Sequence, residues 1–292
     1  MIRRRTFRLR VPSGVLRLGE RTLLMGVLNV TPDSFSDGGQ FLDPERAIEH
    51  ALEMERAGAD LLDVGAESTR PGSAGTPAET ELARILPVLE GLREVLKIPI
   101  SVDTRKSRVA EAAISAGAQI INDISGLRSD PRLAEVAQRR GVPLILMHMR
   151  GEPETMQKGS FARDVLKDVT QGLRASIAKA RTAGVRKSQI ILDPGIGFGK
   201  SFEQNYELLR KLPEIAKLGY PLLVGTSRKG FLGATLARDG KPAPPEERIW
   251  ATAATVAASI LGGAHIVRVH EVAEMAQVAR ASDCVLERPR FR

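Results

Sequence analysis

The chain has 292 residues, 42% hydrophobic and 27% charged, ample for a buried core and ordinary for a globular protein. Its net charge of +8 sits at the ends: residues 1–21 carry seven Arg and one Glu, residues 286–292 carry three Arg and one Glu, and the stretch between balances 33 basic against 33 acidic side chains. A neutral body with basic ends argues against a nucleic-acid partner, which calls for a basic footprint on the folded face. No apolar run reaches bilayer length, MIRRRTFRLR lacks the apolar core of a signal peptide, and the lone Cys284 can form no internal disulfide. The expectation is a cytoplasmic protein with no membrane partner.

The first twenty residues alternate apolar and polar about Pro12-Ser13-Gly14 and predict a hairpin. Short apolar runs follow at LLMGVLNV (23–30), LLDVGAE (61–67), PISVD (99–103), IINDIS (120–125), PLILMH (143–148), IILDPG (190–195), PLLVGT (221–226) and HIVRVH (265–270). Helical spacing marks 44–57, 77–97, 106–116, 130–140, 161–183, 203–217, 245–262 and 271–283. Gly58, Gly117, Gly141, Gly184 and Gly219 each stand where a helix should stop. Strand then helix, eight times over, with fully apolar strands, predicts one α/β domain over 1–292: a (β/α)₈ barrel with the hairpin of residues 1–21 capping its bottom and a basic tail at 286–292.

The stretch ILDPGIGFGKS (191–201) imitates a phosphate-binding loop. A Walker loop needs a glycine five residues before Gly199, where Pro194 stands without an N–H to offer. A dinucleotide fingerprint starting at Gly195 and Gly197 would need its third glycine at Lys200. Neither motif holds, and Lys200 reads as a solvated loop lysine.

In a barrel of this kind the C-terminal strand ends build the site. Two of the three asparagines, Asn29 and Asn122, and two of the four histidines, His148 and His270, fall there, with Asp103, Asp193, Lys229 and Arg268. Thr69 and Arg70 lie in ESTRPGSAGT after the second strand, and Phe35 lies in NVTPDSFSDGG after the first; both loops have the length of lids. Arg70, Arg268 and His270 suit an anion, and an asparagine with a hard cation suits a diphosphate. Asp103, Asp193 and Asn122 suit a flat heterocycle rich in N–H groups, because carboxylates only accept. No Ser-His-Asp order, reactive cysteine or H-E-x-x-H motif is present.

In register along nearly the whole chain, MGVLNVTPDSFSDGG, ESTRPGS, SVDTRK, INDISG, LMHMRG, ILDPGIGFGK, VGTSRKGFLG and HIVRVHEV resemble the dihydropteroate synthases. Ala66 and Gly230 depart from the common pattern without touching a polar ligand group. The resemblance implies condensation of (7,8-dihydropterin-6-yl)methyl diphosphate with 4-aminobenzoate. It assigns the pterin diphosphate to Thr69, Asp103, Asn122, Asp193, Lys229, Arg268, Val269 and His270, with Lys229, Arg268 and His270 catalytic. Phe35, Arg70, Pro71, Phe198 and Ser227 would border 4-aminobenzoate, and Asn29 would reach the diphosphate through Mg²⁺. It also suggests a homodimer, through the small-residue helix IWATAATVAASILGG (249–263), whose small residues suit close packing within the core equally well. Two alternatives share parts of the pattern: a pterin-binding methyltransferase barrel, which should lack the R-x-H clamp at 268–270, and a non-catalytic pterin-binding protein.

Overall fold

The computed structural model describes residues 4–31, 43–68, 75–152, 154–156 and 160–286. The hairpin pairs β1 (Phe7–Val11) with β2 (Gly14–Leu18) across the Pro12-Ser13 turn. Eight parallel strands follow: β3 (Leu23–Asn29), β4 (Leu61–Gly65), β5 (Ile100–Asp103), β6 (Ile120–Asp123), β7 (Leu144–Met147), β8 (Ile190–Asp193), β9 (Leu223–Val224) and β10 (Ile266–Val269). Neighbours in space are neighbours in sequence, except that β10 lies between β9 and β3. The barrel closes between β8 and β9 through the Leu192–Leu222 bridge, where the Leu192 N–H donates to the Pro221 carbonyl at 2.9 Å.

The helices cover the outside: α1 (Pro44–Arg56), α2 (Ala78–Arg93), α3 (Ser107–Ser115), α4 (Arg132–Arg140), α5 (Val165–Thr182), α6 (Phe202–Arg210), α7 (Leu212–Ala216), α8 (Gly230–Thr235), α9 (Ile249–Leu261) and α10 (Val272–Leu286). Helix α1 begins cleanly because Asp43 accepts from the Glu45 and Arg46 N–H groups while Pro44 needs no partner. The single helix expected over 203–217 is two, since Pro213 supplies no N–H and the helix breaks at Lys211. The first turn of 245–262 is a 3₁₀ turn, Pro245–Arg248, and the expected strand 221–226 narrows to Leu223–Val224. Helix α8 escaped the periodicity reading because its six residues, GFLGAT, are too short to show one.

The interior has two levels. Side chains alternate along a strand, so every second residue faces the barrel axis. Met25, Leu61, Ile120, Ile145, Ile191, Leu223 and Ile266 fill the lower level and pack against Leu9, Val11 and Leu18 of the hairpin. Two residues further along the same strands stand Asp63, Asn122, Asp193 and Arg268. The outward residues between them, such as Leu62, Ile121, Leu192 and Val267, belong to the core beneath the helices. An apolar plug thus closes the bottom, and polar side chains are left to the top.

Arg4 and Asp283, near the two limits of the described residues, form a staple beneath the barrel. The buried Arg4 donates to Thr22 Oγ1 (2.6 Å), the Ala264 carbonyl (3.2 Å) and Asp283 (2.6 Å), and Asp283 also accepts the Thr22 N–H at 2.7 Å. Removing one partner of a buried pair strands the other charge. Asp283→Ala should therefore lower unfolding free energy in urea by about 3 kcal/mol. A loss under roughly 1 kcal/mol would mean that Arg4 is rehydrated and the staple is incidental.

Candidate active site

Arg268 stands at the centre of the upper level. Its Nε donates to Asp63 Oδ2 at 2.6 Å and its Nη2 to Asp103 Oδ2 at 3.1 Å, while Asn122 Nδ2 donates to the same Asp63 oxygen at 2.9 Å. Four strands, β4, β5, β6 and β10, each contribute one of these side chains. Gly65 permits the approach, because a Cβ there would sit 3.2 Å from Asp103 Cβ. Burial raises Asp103 above the usual carboxylate range, the negative charge of Asp63 raises it further, and Arg268 opposes both.

The second group comes from the end of β8. Asp193 Oδ1 accepts the Gly195 N–H at 2.7 Å, and burial pushes its carboxyl up to about 6 despite that bond and Lys229. Gly195 has φ +67°, and a Cβ there would lie 1.9 Å from the His148 carbonyl, so the turn admits no side chain. Gly199, at φ +65°, is equally closed, its Cβ falling 2.1 Å from the Arg150 carbonyl. The turn presents Phe198, whose ring lies 4.0 Å from Lys229 Nζ. Burial brings Lys229 down to about 8, with Arg268 adding to the effect and Asp193 and Asp103 opposing it.

The third group joins the ends of β9 and β10. Ser227 Oγ lies 2.8 Å from His270 Nδ1, accepts the His270 N–H at 3.3 Å, and donates to Glu271 at 3.2 Å, while Arg228 pairs with the other Glu271 oxygen. Val269 is buried on the outer side of β10, facing the helices, and contributes backbone alone to the rim. Asn29 is half-buried at the end of β3, in register with Gly65. Phe35, Thr69, Arg70 and Pro71 lie outside the described residues. The residues flanking 69–74 are tied down: Glu67 accepts from Arg105 (2.6 Å), Lys106 (2.5 Å) and the Thr76 N–H (3.4 Å), and Lys106 also pairs with the buried Glu81 at 2.7 Å.

The mouth therefore holds three acceptor side chains, Asp103, Asn122 and Asp193, beside the cationic Lys229 and Arg268, with an aromatic face at Phe198. Residues 25–270 match the family model described as pterin binding enzyme. The dihydropteroate synthase of Synechocystis sp. is 48% identical over 267 residues, covering 91% of each chain. The chain belongs to the dihydropteroate synthase family. Among solved structures, dihydropteroate synthase of Xanthomonas albilineans with 4-aminobenzoic acid has a TM-score of 0.89 at 40% identity, covering 98% of this chain and 100% of that one. The X. albilineans enzyme in complex with 7,8-dihydropteroate has a TM-score of 0.86 at 38% identity, covering 97% and 100%.

Within this dihydropteroate synthase family member, two side chains differ from the sequence reading. Asp63 was hidden in an apolar run, although its place two residues after Leu61 put it on the inward face. Lys200 is not a solvated lysine. It is 2% exposed, and its ammonium bonds the Phe198 carbonyl at 2.9 Å and the His148 carbonyl at 3.2 Å, lying also 3.2 Å from His148 Nδ1. Nothing in its sequence neighbours signals this, because the turn at Gly195 to Gly199 folds it under the strand ends. His148 itself is buried beside Lys200, and burial brings it down to about 2, so it stays neutral.

Asp193 carries a stability signature. Its carboxyl titrates near 6 in the fold against 3.8 when free, so between those values the folded state keeps a proton that the unfolded chain has released. Stability tied to this group is lost as pH rises from about 4 to about 6 and is constant above. Asp193→Asn removes that titration. Its stability relative to the parent protein should improve by on the order of 3 kcal/mol across that interval and then level off. A difference independent of pH, measured by urea unfolding from pH 4 to 8, would show that Asp193 is not raised.

Proposed function

We propose that this chain condenses (7,8-dihydropterin-6-yl)methyl diphosphate with 4-aminobenzoate, giving 7,8-dihydropteroate and diphosphate. The observation that carries the reading is the convergence of Asp103, Asn122 and Asp193 with Lys229 and Arg268 in one barrel mouth. Carboxylates and an amide oxygen accept the N–H edge of a pterin. Arg268, its guanidinium held by Asp63 and Asp103, offers a flat cation to the pterin face and reaches toward the diphosphate. His270, with Ser227 on its Nδ1, takes the diphosphate side together with the main chain at Val269 and with Thr69. Phe198 and Ser227, with Arg70, Pro71 and Phe35, border the aminobenzoate. The Xanthomonas relatives with 4-aminobenzoic acid and with dihydropteroate support 4-aminobenzoate and a pterin as the substrates.

The fit to Mg²⁺ is that of a substrate-borne ion. Among the described residues no three His, Cys, Asp or Glu side chains cluster as metal ligands, and Asn29 offers one neutral oxygen at the end of β3. Mg²⁺ is commonly held by few protein ligands, with phosphate oxygens and water completing its shell. Bound that way, Mg²⁺ would neutralise charge on the departing diphosphate.

In the reaction the methylene C–O bond breaks, the C–N bond forms, and the arylamine gives up a proton after attack. A neutral arylamine needs no prior deprotonation. On this reading Arg268, Arg70 and His270 serve the leaving group, so catalysis comes from stabilising charge on diphosphate. The dihydropterin shares the positive charge left on its methylene, favoured by Asp103 and Asp193. Carbon–oxygen cleavage then precedes amine attack.

The proposed location is the cytoplasm, in keeping with the single cysteine, Cys284, which is exposed. Among the described residues no helix is long and apolar enough to cross a membrane. A homodimer through α9 is supported by its exposed stripe of Trp250 (78% exposed), Ala254, Ala258 and Leu261, spaced along one helical face.

Mixing both substrates should release diphosphate, faster with Mg²⁺, and omitting 4-aminobenzoate should abolish turnover. Substituted 4-aminobenzoates should change the chemical step only weakly with amine basicity, and ¹⁸O in the bridging position should scramble within bound substrate. Absence of diphosphate release would end the proposal; a steep basicity dependence without scrambling would replace dissociation with concerted displacement. For the assembly, Trp250→Glu should halve the molar mass by light scattering, and an unchanged mass would move the interface elsewhere.

A further inference from the structure

Lys200 is buried where packing alone would favour an apolar side chain. A methionine would fill the same space without the cost of dehydrating an ammonium. The ammonium has three N–H groups, and its three contacts, the Phe198 carbonyl, the His148 carbonyl and His148 Nδ1, are all neutral. Among the described residues it makes no direct ion pair with a carboxylate. The charges that favour it are Asp193 and, from α5, Asp168. Those that oppose it are Lys229, at the start of α8, and Arg128, after β6.

The contacts surround Asp193. The His148 N–H donates to the Asp193 carbonyl at 2.9 Å, and Phe198 closes the turn whose Gly195 N–H binds Asp193 Oδ1. Lys200 ties these two segments together from below while taking neither carboxylate oxygen. We propose that Lys200 is a positioning residue of the pterin site, a buried cation behind Asp193 that keeps this carboxylate ionised and leaves its oxygens to the ligand. The inference rests on reading Asp193 as an acceptor of pterin N–H groups. Asp193 is also faced by Lys229 and by Arg268 of β10. Around Lys200, Arg150 pairs with Asp168 at 3.1 Å, and His148 stays neutral and serves as an acceptor. Lys200, brought down to about 7 by burial, carries its charge in the range where Asp193, near 6, ionises.

The test is calorimetric titration of 6-hydroxymethylpterin, which lacks the diphosphate, from pH 5.5 to 9. The proteins are the wild type, Lys200→Met, Lys200→Gln and Asp193→Asn. Wild-type affinity should fall as pH drops, first as Asp103, near 7, and then as Asp193, near 6, take up protons. In both Lys200 variants the Asp193 limb should move about one pH unit higher, giving about twofold weaker binding than the wild type at pH 7, roughly eightfold weaker binding at pH 5.5 and convergence at pH 9. Glutamine keeps N–H donors for the two carbonyls, so a shift shared by both variants belongs to the charge and not to the tether. An equal loss at every pH, or a wild-type profile for Lys200→Gln, would overturn the inference. Should Lys200→Met fail to fold, the ¹³C carboxyl titration of Asp193 in Lys200→Gln decides, and a midpoint equal to that of the wild type is the negative result. Absence of pterin binding in the wild type, or full affinity in Asp193→Asn, would instead overturn the pterin reading and this inference with it. Normal results for those two proteins with an unmoved Lys200 profile would overturn the Lys200 inference alone.

Discussion

A guanidinium held between two carboxylates governs the upper half of this barrel. Arg268 bridges Asp63 and Asp103, and Asn122 completes the set from a fourth strand. Buried charges tolerate little displacement, because each is stable only while its partners remain in reach. The apolar plug below sharpens the effect by excluding water from the axis, where Leu61 and Ile266 lie directly under Asp63 and Arg268. The strands thus hold the cluster, and the cluster in turn fixes where the strands end relative to one another.

The same desolvation explains the character of the acceptors. Asp103 and Asp193 both sit above the usual carboxylate range because water has been removed before a ligand supplies its own N–H groups. A ligand with several donors relieves that deficit, whereas one lacking them leaves it in place. On the proposed function, recognition would return to these carboxylates the donors that desolvation has withdrawn. Lys229 and Arg268 temper that deficit without removing it.

Much of this was legible in the chain itself, for reasons that differ by element. Repeated apolar runs and glycine stops disclosed the barrel, since strand burial and helix termination are local effects. Asp103, Asn122 and Asp193 stood out because polar side chains at the ends of apolar runs are conspicuous. Asp63 did not, for it sits within its run and shows itself only when inward positions are followed two by two. Lys200 could not be read, because its burial depends on a turn that brings it beneath His148, 52 residues earlier in the chain. The break at Pro213 was present in the letters, yet the apolar spacing on either side masked it. The parts that resisted reading are those decided by contacts across the fold.

The glycine turn after β8 has an evolutionary consequence. Gly195 and Gly199 press against the carbonyls of His148 and Arg150 so closely that any amino-acid substitution at either position drives a carbon into main chain that cannot yield. Drift is shut at these sites, whatever happens around them. A compound that leaned on the backbone of this turn, and not on the side chains beside it, would meet a surface with almost no heritable variants open to it.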